Sequence, residues 1–231
     1  MSPRTRVLDA AMTVFRRQGF RRSSIEQAAE AAGLTRQALY HHFKSKEALF
    51  RAVIERLYEE AFAAETAAAA AAEKAGGSLA DVVVAAVTAK LRQLAESLDG
   101  SPHVEELFSE HLAQARDLYQ KYTAAYVEQL AATVARICRK QGLTLHAGMT
   151  PRDLARCIEM TVNGTKSAYP AMQPAAAFLR DLEVMLRTFI AGAASPAKPS
   201  VAKPKPANKS TNKPAKKSAK KSVRKNLGDR K

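Results

Sequence analysis

The chain has 231 residues, enough to bury one large core or two small ones, and a formal charge of +15. Two cysteines, Cys138 and Cys157, exclude a disulfide scaffold, and no apolar run approaches the roughly 18 residues of a membrane-spanning helix. The start, MSPRTRVLDAAM, lacks the apolar core of a signal peptide, so a cytoplasmic protein is expected. The charge is unevenly placed. Residues 1–56 hold 11 basic and 5 acidic side chains, residues 57–194 hold 13 and 16, and residues 195–231 hold 13 and one. A basic head, a mildly acidic middle and a very basic tail form the layout of a nucleic-acid binder with a separate central module.

In chain order, Val7, Leu8, Ala11, Val14 and Phe15 predict an amphipathic helix ending at Gly19. Ser24 with Gln27 forms a capping box for a second helix, whose apolar face is Ile25, Ala28, Ala29 and Ala32. Gly33 stops it, Leu34 plugs the turn, and Thr35 caps a third helix. That third helix turns Ala38, Leu39 and Phe43 inward and leaves Arg36, Gln37, Tyr40 and His41 outward.

Two short helices about a glycine turn, over residues 24–43, read as a helix-turn-helix whose second helix enters the major groove. Arg36 and Gln37 can make bidentate contacts to guanine and adenine edges, while Tyr40 and His41 offer donors to bases or nearby phosphates. Thr35 lies beside them. Ser24 anchors the backbone, and Lys46, at the first turn of the next helix, is expected at a phosphate.

Several of these residues carry a resemblance. Gly19-Phe20, Arg21 to Ser24, Ala28-Ala29, Gly33-Leu34 and the block from Leu39 through Tyr40, Phe43 and Lys46 to Leu49 resemble the N-terminal domain of the TetR/AcrR family of bacterial transcriptional regulators. The likeness covers about the first sixty residues. It implies a DNA-binding domain at 1–61 and a ligand-binding and dimerisation domain at 62–194.

Beyond Lys46, a long helix continues through Leu57 and Phe62 into an alanine-rich run that Gly76-Gly77 ends. Helical patterns follow at 79–98, about 103–113, 116–141, 152–168 and 174–191, with a loop at 142–151. Strand patterns are absent, so the class is all-α. The resemblance implies that residues 152–168 and 174–191 pair with their twofold mates in a homodimer, with Val184, Met185, Phe189 and Ile190 as candidate contacts. A homodimer suits a palindromic operator. The resemblance also implies a cavity for a small-molecule effector in the middle module. Phe62, Phe108, His111, Tyr119, Tyr122 and Tyr126 are the candidate lining, which suits a hydrophobic or aromatic molecule.

Nothing in the pattern supports catalysis. His103, His111 and His146 lack metal-ligand spacing, no phosphate loop or nucleophile elbow is present, and no cofactor is implied. Cys138 and Cys157 read as buried structural thiols before a redox pair. The expected function is therefore that of a ligand-responsive transcriptional repressor, not an enzyme.

The stretch 195–231, SPAKPSVAKPKPANKSTNKPAKKSAKKSVRKNLGDRK, is too polar and charged to bury a core, so a disordered tail is expected. Its composition resembles linker-histone tails and suggests sequence-independent affinity for DNA and association with the nucleoid. The alternative reading is an architectural DNA protein in which this tail dominates.

Overall fold

A computed structural model describes residues 3–196. The basic stretch from 197 onward, and with it most of the expected tail, lies outside the described residues.

The first helix, α1 (Pro3–Arg22), is broken at Gly19, whose φ of 79° is in the region that favours glycine. The chain then turns through Phe20 to Arg22 instead of stopping at Gly19. A Cβ at Gly19 would collide with the carboxylate of Glu106, which accepts the Arg21 backbone N–H at 2.8 Å.

Next come α2 (Ile25–Ala31) and α3 (Arg36–His42). Ser24 caps α2 through the full capping box: its Oγ accepts from Gln27 N, and Gln27 Oε1 accepts from Ser24 N at 2.8 Å. At the other end Gly33, with φ 67°, closes a Schellman motif. Gly33 N donates to Glu30 O at 3.0 Å and Leu34 N to Ala29 O at 2.9 Å. Thr35 Oγ1 then accepts from Ala38 N and starts α3.

The rest is α4 (Lys46–Lys74), α5 (Leu79–Leu98), α6 (Val104–Gln114), α7 (Arg116–Gln141), α8 (Pro151–Ala168) and α9 (Ala175–Ala193). These bounds match the helical spacings closely, and helix dominates as expected. Two corrections concern the ends. Leu143–Leu145 forms a short strand, β1, antiparallel to β2 (Ala194–Pro196), with Leu143 opposite Pro196. The 142–151 stretch is therefore not all loop, strands are not wholly absent, and Ser195 and Pro196 belong to the folded part rather than to the tail.

Two hydrophobic cores result. The N-terminal core joins Val7, Leu8 and Ala11 of α1, Ile25 and Ala28 of α2, Leu39 of α3, and Leu49 and Val53 of α4. Its centre is three phenylalanines: Phe50 stands edge-on to Phe15 at 5.1 Å and lies 4.8 Å from Phe20. Each such buried side chain contributes about 1.5–3 kcal/mol over exposure. The C-terminal core joins Val83 and Val87 of α5, Leu130 and Val134 of α7, Leu154 and Ile158 of α8, and Phe178, Leu182 and Leu186 of α9. Ile190 is also buried there, which corrects its expected place on an outer face.

Four elements, α4, α5, α6 and α7, touch both cores. α4 runs from one into the other, and α6 sends Leu107 into the N-terminal core. Polar ties reinforce this junction. Arg21 pairs with Glu110 of α6 at 2.9 Å, and Ser101 Oγ donates to Arg16 O at 2.7 Å. Arg51 of α4 makes a bidentate pair with Asp117 of α7, at 2.7 and 2.6 Å, and donates to Gln114 O.

Candidate functional site

Two places concentrate polar groups. The first is the outer face of α3. Leu39 is fully buried and pins the helix to the core, while Arg36, Gln37 and His41 are exposed and Tyr40 is half-buried. The structure thus brings the expected base-facing residues onto one exposed face. Arg36 is held but not spent. Its Nε pairs with Glu26 of α2 at 2.8 Å, and its guanidinium lies 5.4 Å over the Tyr40 ring. Both members of that pair are substantially exposed, so it is worth at most about 1 kcal/mol and can be exchanged for a base edge. Glu26 is itself held below the usual carboxylate range, first by the backbone N–H groups at the start of α2, then by Ser24 and Arg36.

Ser24 and Thr35 use their oxygens as cap acceptors; the Ser24 hydroxyl also hydrogen-bonds Glu26, while the Thr35 hydroxyl proton is left to donate outward. Lys46 has a different occupation from the expected one. Its Nζ donates to the backbone carbonyls of Phe20, Ser23 and Arg21, at 2.9, 3.1 and 3.3 Å, and sits 4.5 Å over the Phe20 ring. An ammonium has three donors, and three carbonyls take them. Lys46 thus staples the end of α1 to α4, and the groups left over for a phosphate are the first backbone N–H groups of α4.

The second place is a partly open cavity of about 90 Å³, well above the roughly 10–15 Å³ that one water requires. α1, α4, α5, α6, α7 and α8 all contribute to its wall. Phe108, His111, Tyr119, Tyr122 and Tyr126 line it. Phe62 does not; it packs behind the wall, 5.7 Å from the Tyr122 ring. Tyr58 stacks on Tyr122 at 4.6 Å and bonds His111 Nε2 through its hydroxyl at 2.7 Å. Burial draws His111 down to about 4 and pushes the Tyr58 phenol up, so a neutral imidazole meets a neutral phenol.

Sequence reasoning missed the charged part of this wall: Lys90 on α5, with Glu159, Asn163 and Lys166 on α8. Lys90 is 91% buried (9% exposed), and its Nζ lies 3.1 Å over the Tyr126 ring. A signal existed, since Lys90 follows Val83 and Val87 on the apolar stripe of α5. Burial pulls Lys90 below the ordinary lysine range, and it pushes nearby Glu65 of α4 above the ordinary carboxylate range. The Tyr126 hydroxyl, fully enclosed, has no hydrogen-bond partner.

A third feature is apolar. Among the described residues the large hydrophobic side chains left exposed are Leu112, Met160, Val184 and Met185, and the last three lie on α8 and α9. Cys138 and Cys157 are both free, the first buried with its thiol pushed up by burial and the second half-buried. Among these residues no helix is long and apolar enough to cross a membrane.

Comparison with known proteins places this geometry in context. Residues 7–53 match the family described as bacterial regulatory proteins, tetR family. The HTH-type transcriptional repressor KstR2 of Rhodococcus jostii is 37% identical over 59 residues, which is 26% of this chain and 29% of that protein. The match thus spans under a third of that relative. The HTH-type transcriptional repressor Rv1474c of Mycobacterium tuberculosis is 26% identical over 162 residues, 70% of this chain and 79% of its own length. Among solved structures, SmeT, the repressor of the Stenotrophomonas maltophilia multidrug efflux pump SmeDEF, superposes with a TM-score of 0.59 at 22% identity. That superposition covers 83% of this chain and 90% of SmeT, and at such identity it speaks to the fold.

Proposed function

The chain belongs to the TetR family of bacterial regulatory proteins, and from that premise we propose that it is a ligand-responsive repressor, binding a palindromic operator as a homodimer. The observation that carries this reading is the exposed face of α3, where Arg36, Gln37, Tyr40 and His41 stand on a helix fixed by buried Leu39. Arg36 and Gln37 read base edges; Tyr40, His41, Thr35 and Ser24 donate to phosphates; the N-terminal N–H groups of α4 anchor the adjacent backbone.

In this proposal residues 1–61 act as the DNA-binding domain and 62–194 as the ligand-binding and dimerisation domain. α8 and α9 supply the twofold interface, with Met160, Val184 and Met185 as its apolar contacts, because exposed methionine and valine on adjacent helices favour burial. The cavity takes a small effector. KstR2, Rv1474c and SmeT are each named as repressors, which favours repression over activation. An effector that wedges into the cavity acts on α4 and α6, which also contribute to the N-terminal core, and so alters the spacing of two recognition helices.

The 13 Lys and Arg of the tail add sequence-independent affinity, through counterion release, that weakens steeply with salt. They would also favour a nucleoid-associated location in the cytoplasm. The rival reading, an architectural protein dominated by this tail, rests on the same charge.

Fluorescence anisotropy separates the two. The full chain and residues 1–196, a cut that keeps β2, are titrated against the DNA upstream of the coding region and a scrambled duplex at near-physiological salt. A repressor prefers its operator by about a thousandfold or more in both forms. An architectural protein binds both duplexes equally and loses its affinity with the tail.

A further inference from the structure

The cavity wall carries more hydrogen-bond donors than acceptors. Lys90 and Lys166 bring three N–H donors each and Tyr126 brings one O–H. No carboxylate among the described residues lies within 4 Å of either ammonium, and the Tyr126 hydroxyl has no partner. What Lys90 does touch is aromatic: the faces of Tyr126 at 3.1 Å and Phe62 at 5.3 Å. The wall's one carboxylate, Glu159, already accepts from the Asn163 amide. Glu65, whose Oε2 also lacks a partner, is not part of the wall. Lys90, Lys166 and Tyr126 thus share the wall of one cavity. Much of the remaining wall is apolar, with Leu57, Leu91, Leu94 and Leu107 among its residues.

We propose that Lys90, Lys166 and Tyr126 form an anion subsite, and that the effector is a carboxylate with an apolar body. This rests on the reading of the cavity as an effector site. Glu65 and Glu159 offset these ammonium charges only at a distance; an anionic oxygen placed beside Lys90 meets its charge directly and fills the orphaned Tyr126 donor. A neutral or cationic ligand leaves the donors unfilled or adds like charge. The carboxylate meets Lys90 of α5, Tyr126 of α7 and Lys166 of α8, and the hydrocarbon packs on the leucines of α4, α5 and α6. Specificity thus comes from the charged end and affinity from the apolar one.

The test uses the full chain and three probes of one chain length: octanoate, octan-1-ol and octylamine. Calorimetric titration is expected to give octanoate a Kd about tenfold or more below that of octan-1-ol, the order of one charge-assisted hydrogen bond. Octylamine is expected not to bind, and only octanoate raises Tm substantially. Lys166→Met, at a half-buried position, and Lys90→Met each abolish the preference for octanoate and leave octan-1-ol binding intact. Because Lys166 is not part of the core, its variant keeps the test valid if Lys90→Met misfolds. Octan-1-ol or octylamine binding as tightly as octanoate overturns the anion subsite while leaving the cavity an effector site. No heat and no change in Tm with any of the three overturns both.

Discussion

The N-terminal and C-terminal cores are built alike and turn their polar groups in opposite directions. Around the first, Arg36, Gln37 and His41 point out from α3 over a sealed phenylalanine cluster. Around the second, Lys90, Lys166 and Tyr126 line an internal cavity. Leaving a polar group without a partner is costly in either place, by far the more so inside. The outward set lies on a helix that can be solvated until a duplex replaces the water. The inward set has only water or a ligand to choose from. The difference suits the proposed partners: a large polyanion on a surface, and a small molecule in a cavity.

Deleting a core side chain breaks that comparison most severely. Leu39 is 0% exposed, so Leu39→Ala should cost about 2–5 kcal/mol in urea unfolding. Since α4 and α6 are shared by both cores, the loss should appear as a shift of one transition. Two separated transitions would mean that the cores are not mechanically joined.

Arg36→Ala should weaken operator binding by about 1–3 kcal/mol and relax preference at one base position. Its stability should change by less than about 1 kcal/mol, because the Glu26 pair is exposed. Lys46→Met should do the reverse, lowering Tm while leaving base preference untouched, since its donors serve the carbonyls of Phe20, Arg21 and Ser23. If Lys46→Met altered base preference alone, the staple role would be wrong.

The buried half should show itself in pH. An unfolded imidazole takes up its proton near 6.5, and burial delays this at His111 to about 4. Between those values the unfolded chain binds the extra proton, so stability present above pH 6.5 drains away as pH falls toward 4. At pH 5 the loss amounts to about 2 kcal/mol. Urea titrations at pH 7.5 and 5.0 check this: His111→Gln should flatten the slope, and an unchanged slope would refute it.

The smallest effect is at the junction. Breaking Arg51–Asp117 with Asp117→Asn removes an exposed pair worth under about 1 kcal/mol. Tm should barely move, but the effector's ability to release DNA should fall, because this pair ties α4 to α7 beside the cavity. Anisotropy with and without octanoate reads that coupling directly.

The recognition half was largely legible in sequence because its signals are local. A capping box, a glycine with positive φ and a cap threonine each act within four residues, and they fix where Arg36 and Gln37 face. Helix bounds at 79–98 and 116–141 were readable for the same reason. The charged cavity wall was not. Lysine is solvated by default, and whether Lys90 or Lys166 is buried depends on helices far away in sequence that cover it. Lys46 misled in the same manner, since the carbonyls it serves lie more than twenty residues earlier. Three-residue strands such as Leu143–Leu145 carry too little alternation to be seen, and Ile190 could not be told from an interface residue by pattern alone.

The central claim, that α3 reads a defined sequence, is tested most directly by selection on the genome. The full chain is mixed with sheared genomic DNA at physiological salt, and the bound fragments are sequenced. The account predicts that they share a single twofold-symmetric motif, with half-sites about one helical turn or a multiple apart, and that Arg36→Ala changes that motif. Fragments recovered without any common motif, in proportion to their length alone, would contradict it and leave the basic tail as the whole of the binding.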